Sequence, residues 1–292
     1  MNAPERSTAG AAAPCAEDGE AAGVAARALN LTGAQQMLAA RLYTPASADG
    51  SGLIVFFPSG RFVADELESG DLFLRILAAR TGYRVLASCY TLAQVAPFPA
   101  AAEDAHAVLN WAWRQRKKLG WNGERLITAG IEAGGNLAAV SALMARDRGG
   151  PALAAQLLLM PMLDAGLSSC SMRAISGTPG AERAAGACAQ GYRGYLPRPV
   201  DRTHPYASPL QSSRMKGLPP ALILSADDDP LRDEAEQYGA KLISAGVKTL
   251  VKRLPSIALE DPNARCSCAR KENALQEIAC FIASLQHITT ED

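Results

Sequence analysis

The chain has 292 residues, of which 48% are hydrophobic and 20% charged. That length suffices for one large α/β domain or two small ones, and the balance excludes global disorder and a fibrous repeat. Twenty-nine Lys and Arg cancel twenty-nine Asp and Glu, so no net field recruits nucleic acid or an anionic membrane, and the arginines are scattered instead of forming a stripe.

In chain order, residues 1–23 are Ala-rich but interrupted by Glu5, Arg6, Glu17, Asp18 and Glu20. They read as a flexible leader without the apolar core of a signal peptide. Residues 41–43 read as a strand ending at Thr44-Pro45, and 52–57 as a continuous apolar strand covered on both faces. Helical spacing runs over 65–81, a strand over 83–88, and a long amphipathic helix over 100–119, with Ala105, Val108, Leu109, Trp111 and Ala112 as packing positions. A strand at 125–130 runs straight into a helix start at 133–140. Further strands are expected at 155–162, 220–226 and 248–254, with helices at 233–245 and 269–285. Between 164 and 209 the alternation is lost to Gly, Ser, Pro and Arg, which reads as an insertion over the top of the sheet. The expectation is a single α/β domain over 24–292, with a mostly parallel sheet and helices on both faces.

No apolar run approaches the roughly 20 residues that span a bilayer. The seven cysteines are odd in number and irregularly spaced, so a reducing, cytoplasmic setting is expected rather than a disulfide framework. Cys266-Ser-Cys268 is at most half a metal site, with no neighbouring His and no second close pair, and no metal or cofactor is expected.

The informative spot is Gly130-Ile-Glu-Ala-Gly134, a strand–turn–helix with small flanks. A nucleophile elbow has this form and aims its central residue out of a strained turn; that residue here is Glu132. Alone, the pattern also fits an ordinary strand–helix turn.

Taken together with other segments, the chain resembles the hormone-sensitive-lipase-like bacterial carboxylesterases of the α/β-hydrolases, from about Leu42 to Ala283. Leu42-Tyr-Thr-Pro45 is similar to the family's first matching strand, and Phe57-Pro-Ser-Gly-Arg-Phe-Val63 lies where members carry His-Gly-Gly-Gly-Phe. Cys89-Tyr-Thr-Leu-Ala-Gln94, Pro97-Phe-Pro-Ala-Ala101 and Glu103-Asp104 resemble the Asp-Tyr-Arg-Leu-Ala-Pro-Glu region and its helix. Gly134-Gly-Asn-Leu-Ala138, Tyr206-Ala-Ser-Pro-Leu210, Leu218-Pro-Pro220, Asp229-Pro-Leu-Arg-Asp-Glu234 and Gly246-Val247 continue the match. The resemblance implies an α/β-hydrolase fold with an eight-stranded, mostly parallel sheet and a small cap built from the N-terminal segment and 164–209.

The departures fall on the chemistry. An ester hydrolase of this kind needs a serine nucleophile, a histidine base and an acid that orients the histidine. The resemblance puts Glu132 at the nucleophile position, Asp229 at the acid and Leu259 where the histidine is expected, within Pro255-Ser-Ile-Ala-Leu-Glu-Asp261. The three histidines, His106, His204 and His287, lie elsewhere in sequence. Pro58, Ser59 and Arg61 replace three of four oxyanion-loop positions and leave Gly60, so most of the hole is expected to be lost.

An elbow carboxylate could form an alkyl-ester intermediate, as haloalkane dehalogenases and epoxide hydrolases do, but those enzymes need a histidine to activate water; Ser59 as a displaced nucleophile lacks a base too. Asp229, Asn136 and Ser208 are expected to serve as structural hydrogen-bonding groups, and Asp227 and Asp228 to face water. The reading is a catalytically impaired hydrolase fold that binds a small molecule or a protein partner. Ser59, Gly60, Arg61, Glu132 and Ala133 would form the binding site, and a cationic or hydrogen-bond-donating ligand is expected. A plant hormone receptor resembles these esterases and uses the former pocket in that way. A homodimer is allowed; nucleic acid and membrane are not expected. The rival readings are an ester hydrolase of altered chemistry and a structural relic. Arg61 is expected to pair with Glu132, with Ser59 as the alternative partner.

Overall fold

The computed structural model describes residues 19, 21–175, 178–261 and 263–286. The leader read over 1–23 lies for most of its length outside the described residues, as does His287. One eight-stranded sheet contains β1 (Val24–Thr32), β2 (Met37–Pro45), β3 (Gly52–Phe57), β4 (Arg84–Ser88), β5 (Arg125–Ile131), β6 (Ala155–Leu159), β7 (Ala221–Ala226) and β8 (Thr249–Leu254). Their spatial order is β1-β2-β4-β3-β5-β6-β7-β8. β2 runs antiparallel to β1 and β4, and every pairing from β4 through β8 is parallel. β1 is not apparent in the sequence because most of its positions are exposed, so it carries no clear alternation of apolar and polar residues.

Helices cover both faces. α1 (Asp71–Thr81) and α8 (Glu272–Gln286) pack on one side, where Phe73, Leu74, Ile278 and Ile282 join a core with Ile54, Phe56 and Leu222. On the other side, α2 (Ala100–Arg114), α3 (Ala133–Arg148) and α6 (Arg232–Ser244) bury Val108, Leu109, Leu137, Tyr238 and Leu242 against Leu53, Val55 and Leu158. Every residue of β3 is buried, as its unbroken apolar run requires of a strand covered twice.

Several boundaries differ from the sequence reading for local reasons. α1 starts at Asp71, because Asp65 Oδ1 accepts the Leu67 N–H at 3.0 Å and turns the preceding segment. β6 stops at Leu159, where Met160 takes a left-handed φ of 43°. The closing helix begins early as a separate turn, α7 (Ala264–Ala269), after Asp261 Oδ1 accepts the Asn263 N–H at 2.8 Å. The stretch 164–209 is not structureless: it contains α4 (Cys170–Arg173) and the 17-residue α5 (Pro179–Tyr195). The glycines of α5 weaken a helical reading, but Gly191 has a packing reason. A Cβ there would sit 2.4 Å from the carbonyl oxygen of Arg61.

The C-terminal ends of β3, β5, β7 and β8 lie along one rim of the sheet, where ligand sites of open α/β folds form. They deliver the 58–63 loop, Glu132, Asp229 and the segment leading to α7.

Candidate active site

β5 runs into α3 through Glu132, whose φ of 57° and ψ of −113° hold it in a sparsely populated conformation. The flanking glycines make that turn fit. A Cβ on Gly130 would fall 2.1 Å from the Gly134 carbonyl oxygen, and one on Gly134 only 1.9 Å from that of Phe57. The Glu132 backbone is bonded on both sides, its N–H to Leu159 O at 3.1 Å and its carbonyl to Met162 N at 3.0 Å. The elbow is therefore built to specification, with a carboxylate where the turn presents its side chain.

That carboxylate is buried, 2% exposed, and both of its oxygens are engaged. Oε2 accepts the backbone N–H groups of Gly60 at 3.1 Å and Arg61 at 3.2 Å. Oε1 accepts Arg265 Nη1 at 2.6 Å. Arg265 then grips Asp229 with two parallel bonds, Nε to Oδ2 and Nη2 to Oδ1, each 2.8 Å. This is the bidentate match of a guanidinium fork to a carboxylate. Burial pulls the Arg265 pKa down, but the Asp229 charge and the bonds to it outweigh burial, with Glu132 adding to them, and hold it well above the ordinary value. Arg265 is thus a fixed cation that cannot accept a proton. It bridges the elbow and the acid, the place that a hydrolase gives to its histidine.

The expected site residues are placed as follows. Arg61 does approach Glu132, with Nη1 3.8 Å from Oε1, but it is the weaker of two cationic partners. Ser59 does not reach Glu132 by any described hydrogen bond; its Oγ lies 3.6 Å from Cys266 Sγ. Ala133 is fully buried as the first residue of α3. Leu259 is buried near the cleft above Arg265. The Asp229 carboxylate meets Arg265 and the Leu231 N–H at 3.0 Å, while Asp228, expected to face water, accepts the Ile257 N–H at 2.8 Å.

The oxyanion loop needs a correction. Its replacement of glycines leads to the expectation that most of the hole is lost, yet two backbone donors converge on one carboxylate oxygen of Glu132. Gly60 (φ 117°), Arg61 (φ 53°) and Phe62 (φ 66°) all take left-handed conformations. Phe62 stacks on Tyr195 at 3.9 Å between centroids, and Tyr90 Oη donates to the Ser59 carbonyl at 3.0 Å. Tertiary packing therefore holds a shape that the β-carbons alone would disfavour.

The histidines stand apart. His106 bonds Asn110 within α2, and His204 Nδ1 accepts the Tyr206 N–H at 3.0 Å. Neither is a hydrogen-bond partner of Glu132 or Asp229 among the described residues. Asn136 and Ser208 are structural: Asn136 Nδ2 donates to Met162 O and Ala207 O, and Ser208 Oγ donates to Arg202 O. Cys266 and Cys268 turn to different surroundings, the first to Ser59 and the second into the core.

Sequence reasoning missed Arg265. A signal was available, because it is the first Lys or Arg after Arg253, and two carboxylates left without a base call for a cation nearby.

Comparison with known proteins matches residues 54–258 to the family described as alpha/beta hydrolase fold. An arylesterase of Saccharolobus solfataricus is 32% identical over 221 residues, covering 73% of this chain and 69% of its own. The carboxylic ester hydrolase LipN of Mycobacterium tuberculosis is 34% identical over 246 residues, covering 78% of this chain and 62% of that protein. A solved esterase from Pyrobaculum calidifontis superposes with a TM-score of 0.81 at 32% identity, over 91% of this chain and 85% of the other.

Proposed function

We propose that this chain, which belongs to the α/β-hydrolase fold family and within it to the hormone-sensitive-lipase-like carboxylesterases, uses the fold to bind a small molecule rather than to cleave esters. The observation that carries the reading is the Glu132–Arg265–Asp229 bridge, at 2.6 and 2.8 Å. Acyl transfer starts when a base removes a proton from the nucleophile. Here the elbow group is a carboxylate with both oxygens engaged, and the neighbouring group is a guanidinium that cannot serve as a base. An ester formed on Glu132 would also need an activated water, and no described imidazole stands at the site to produce one. The irregular cysteines suit a reducing setting such as the cytoplasm; no described helix is long and apolar enough to cross a membrane.

A second reading, ester hydrolysis by altered chemistry, is supported by the esterase names of its relatives and by the two loop amides that still converge on one oxygen. Hydrolysis of short-chain aryl esters by the purified protein and by Glu132→Ala separates the two. The binding reading expects equal, background-level rates. Turnover by the parent that is abolished in Glu132→Ala would establish the second reading.

A further inference from the structure

Above Arg61 and Arg265 lies a cleft of about 200 Å³, smaller than the roughly 300 Å³ at which drug-sized pockets begin. Its walls join three guanidinium groups, Arg61, Arg183 and Arg265, to a short apolar surface of Leu259, Ala187 and Ala264. The three arginines differ in how far their charge is already neutralised. Arg265 is held by Asp229 and Glu132. Arg61 makes one 3.8 Å contact to a Glu132 that is already engaged, and its side chain remains 28% exposed. Arg183 projects from an exposed position of α5 and forms no ion pair among the described residues.

Two acidic residues share the rim. Asp261 is turned onto the start of α7, accepting from Asn263 N at 2.8 Å and Ser267 Oγ at 3.4 Å. Glu260 is turned to the start of α5, where Oε1 lies 2.9 Å from the position of a Cβ on Gly180. Their charges oppose a doubly negative occupant more strongly than a singly negative one.

We propose that this cleft binds a small monocarboxylate with a short apolar tail, its carboxylate on Arg61 and Arg183 and its tail on Leu259, Ala187 and Ala264. The assignment rests on the binding reading above and gives that reading a ligand class. It also reverses the expectation of a cationic ligand, because Arg265 and the loop amides have already taken up the charge of Glu132. Guanidinium forks suit a planar carboxylate, and the contact is charge-assisted.

Titration calorimetry of the full chain with hexanoate, hexanol and inorganic phosphate tests the assignment. Saturable hexanoate binding is expected, with hexanol and phosphate each at least about tenfold weaker, the loss that one charged hydrogen bond accounts for. Arg183→Gln, an exposed change, should weaken hexanoate by about tenfold with the melting temperature unchanged. Equal binding of hexanol, tighter binding of phosphate, no saturation with hexanoate, or indifference to Arg183→Gln would each overturn it. Glu132-dependent ester turnover, measured separately, defeats the binding reading; charge-blind binding or indifference to Arg183 defeats the carboxylate assignment alone.

Discussion

On one side of Glu132 stand the backbone amides of Gly60 and Arg61, presented by a left-handed loop stacked under α5. On the other side stand Arg265 and Asp229, side chains delivered by α7 and the loop after β7. The amide side aims two backbone donors at one oxygen although only one of its two donor residues is a glycine, whereas on the acid side the carboxylate meets a permanent cation. Backbone geometry survives substitution when packing over-determines it. Proton transfer depends instead on one titratable side chain, which packing cannot replace.

The largest expected effect falls on the acid side. Arg265→Met should destabilise the fold by about 4 kcal/mol in urea denaturation, because it leaves Asp229 and Glu132 buried without their cation. A loss below about 1 kcal/mol would mean that water or another cation reaches the pair.

Next comes the elbow. Gly134→Ala should cost about 3 kcal/mol, because the new Cβ would lie 1.9 Å from the Phe57 carbonyl oxygen and backbone cannot move away cheaply. A neutral result in the same assay would show that β3 and α3 are not held as tightly as the retained turn implies.

Glu234, a buried acid without a cationic partner among the described residues, sharpens the contrast with the paired Asp229. Burial raises its pKa well above the ordinary 4.5, Asp164 and Asp229 add to the shift, and the Leu163 N–H bond at 2.6 Å opposes it. The folded state therefore holds a proton that the unfolded state releases above pH 4.5. The stability linked to that proton is complete below 4.5 and falls by about 1.4 kcal/mol per pH unit up to the folded pKa. Glu234→Gln should remove this slope, making the variant more stable than the parent at neutral pH and no more stable below pH 4.5. Parallel pH profiles would contradict the assignment.

The smallest effect belongs to the rim. Arg61→Gln should change stability by less than about 1 kcal/mol, since its contact to Glu132 is long and partly exposed.

Much of the frame was legible in the sequence. The apolar run of β3, the Gly-flanked turn of β5–α3 and the motif at Asp229 placed the rim of the sheet. β1 was not legible, because an exposed edge strand shows no period. α5 was hidden by its glycines, of which Gly191 has a reason, close approach to Arg61, that exists only in three dimensions. The elbow charge pointed to Arg61 by proximity in the family's loop, while the stronger partner came from 133 residues away along the chain, where no local pattern marks a side chain as an ion-pair partner.

A double-mutant cycle between Glu132 and Arg265 tests the central claim most directly, using Glu132→Ala, Arg265→Met and the double variant in equilibrium denaturation. A locked bridge predicts a coupling energy of about 2 kcal/mol, with the double variant less damaged than the sum of the single ones. Additive losses, with coupling near zero, would mean that Arg265 does not hold the elbow carboxylate and that Glu132 is free for chemistry.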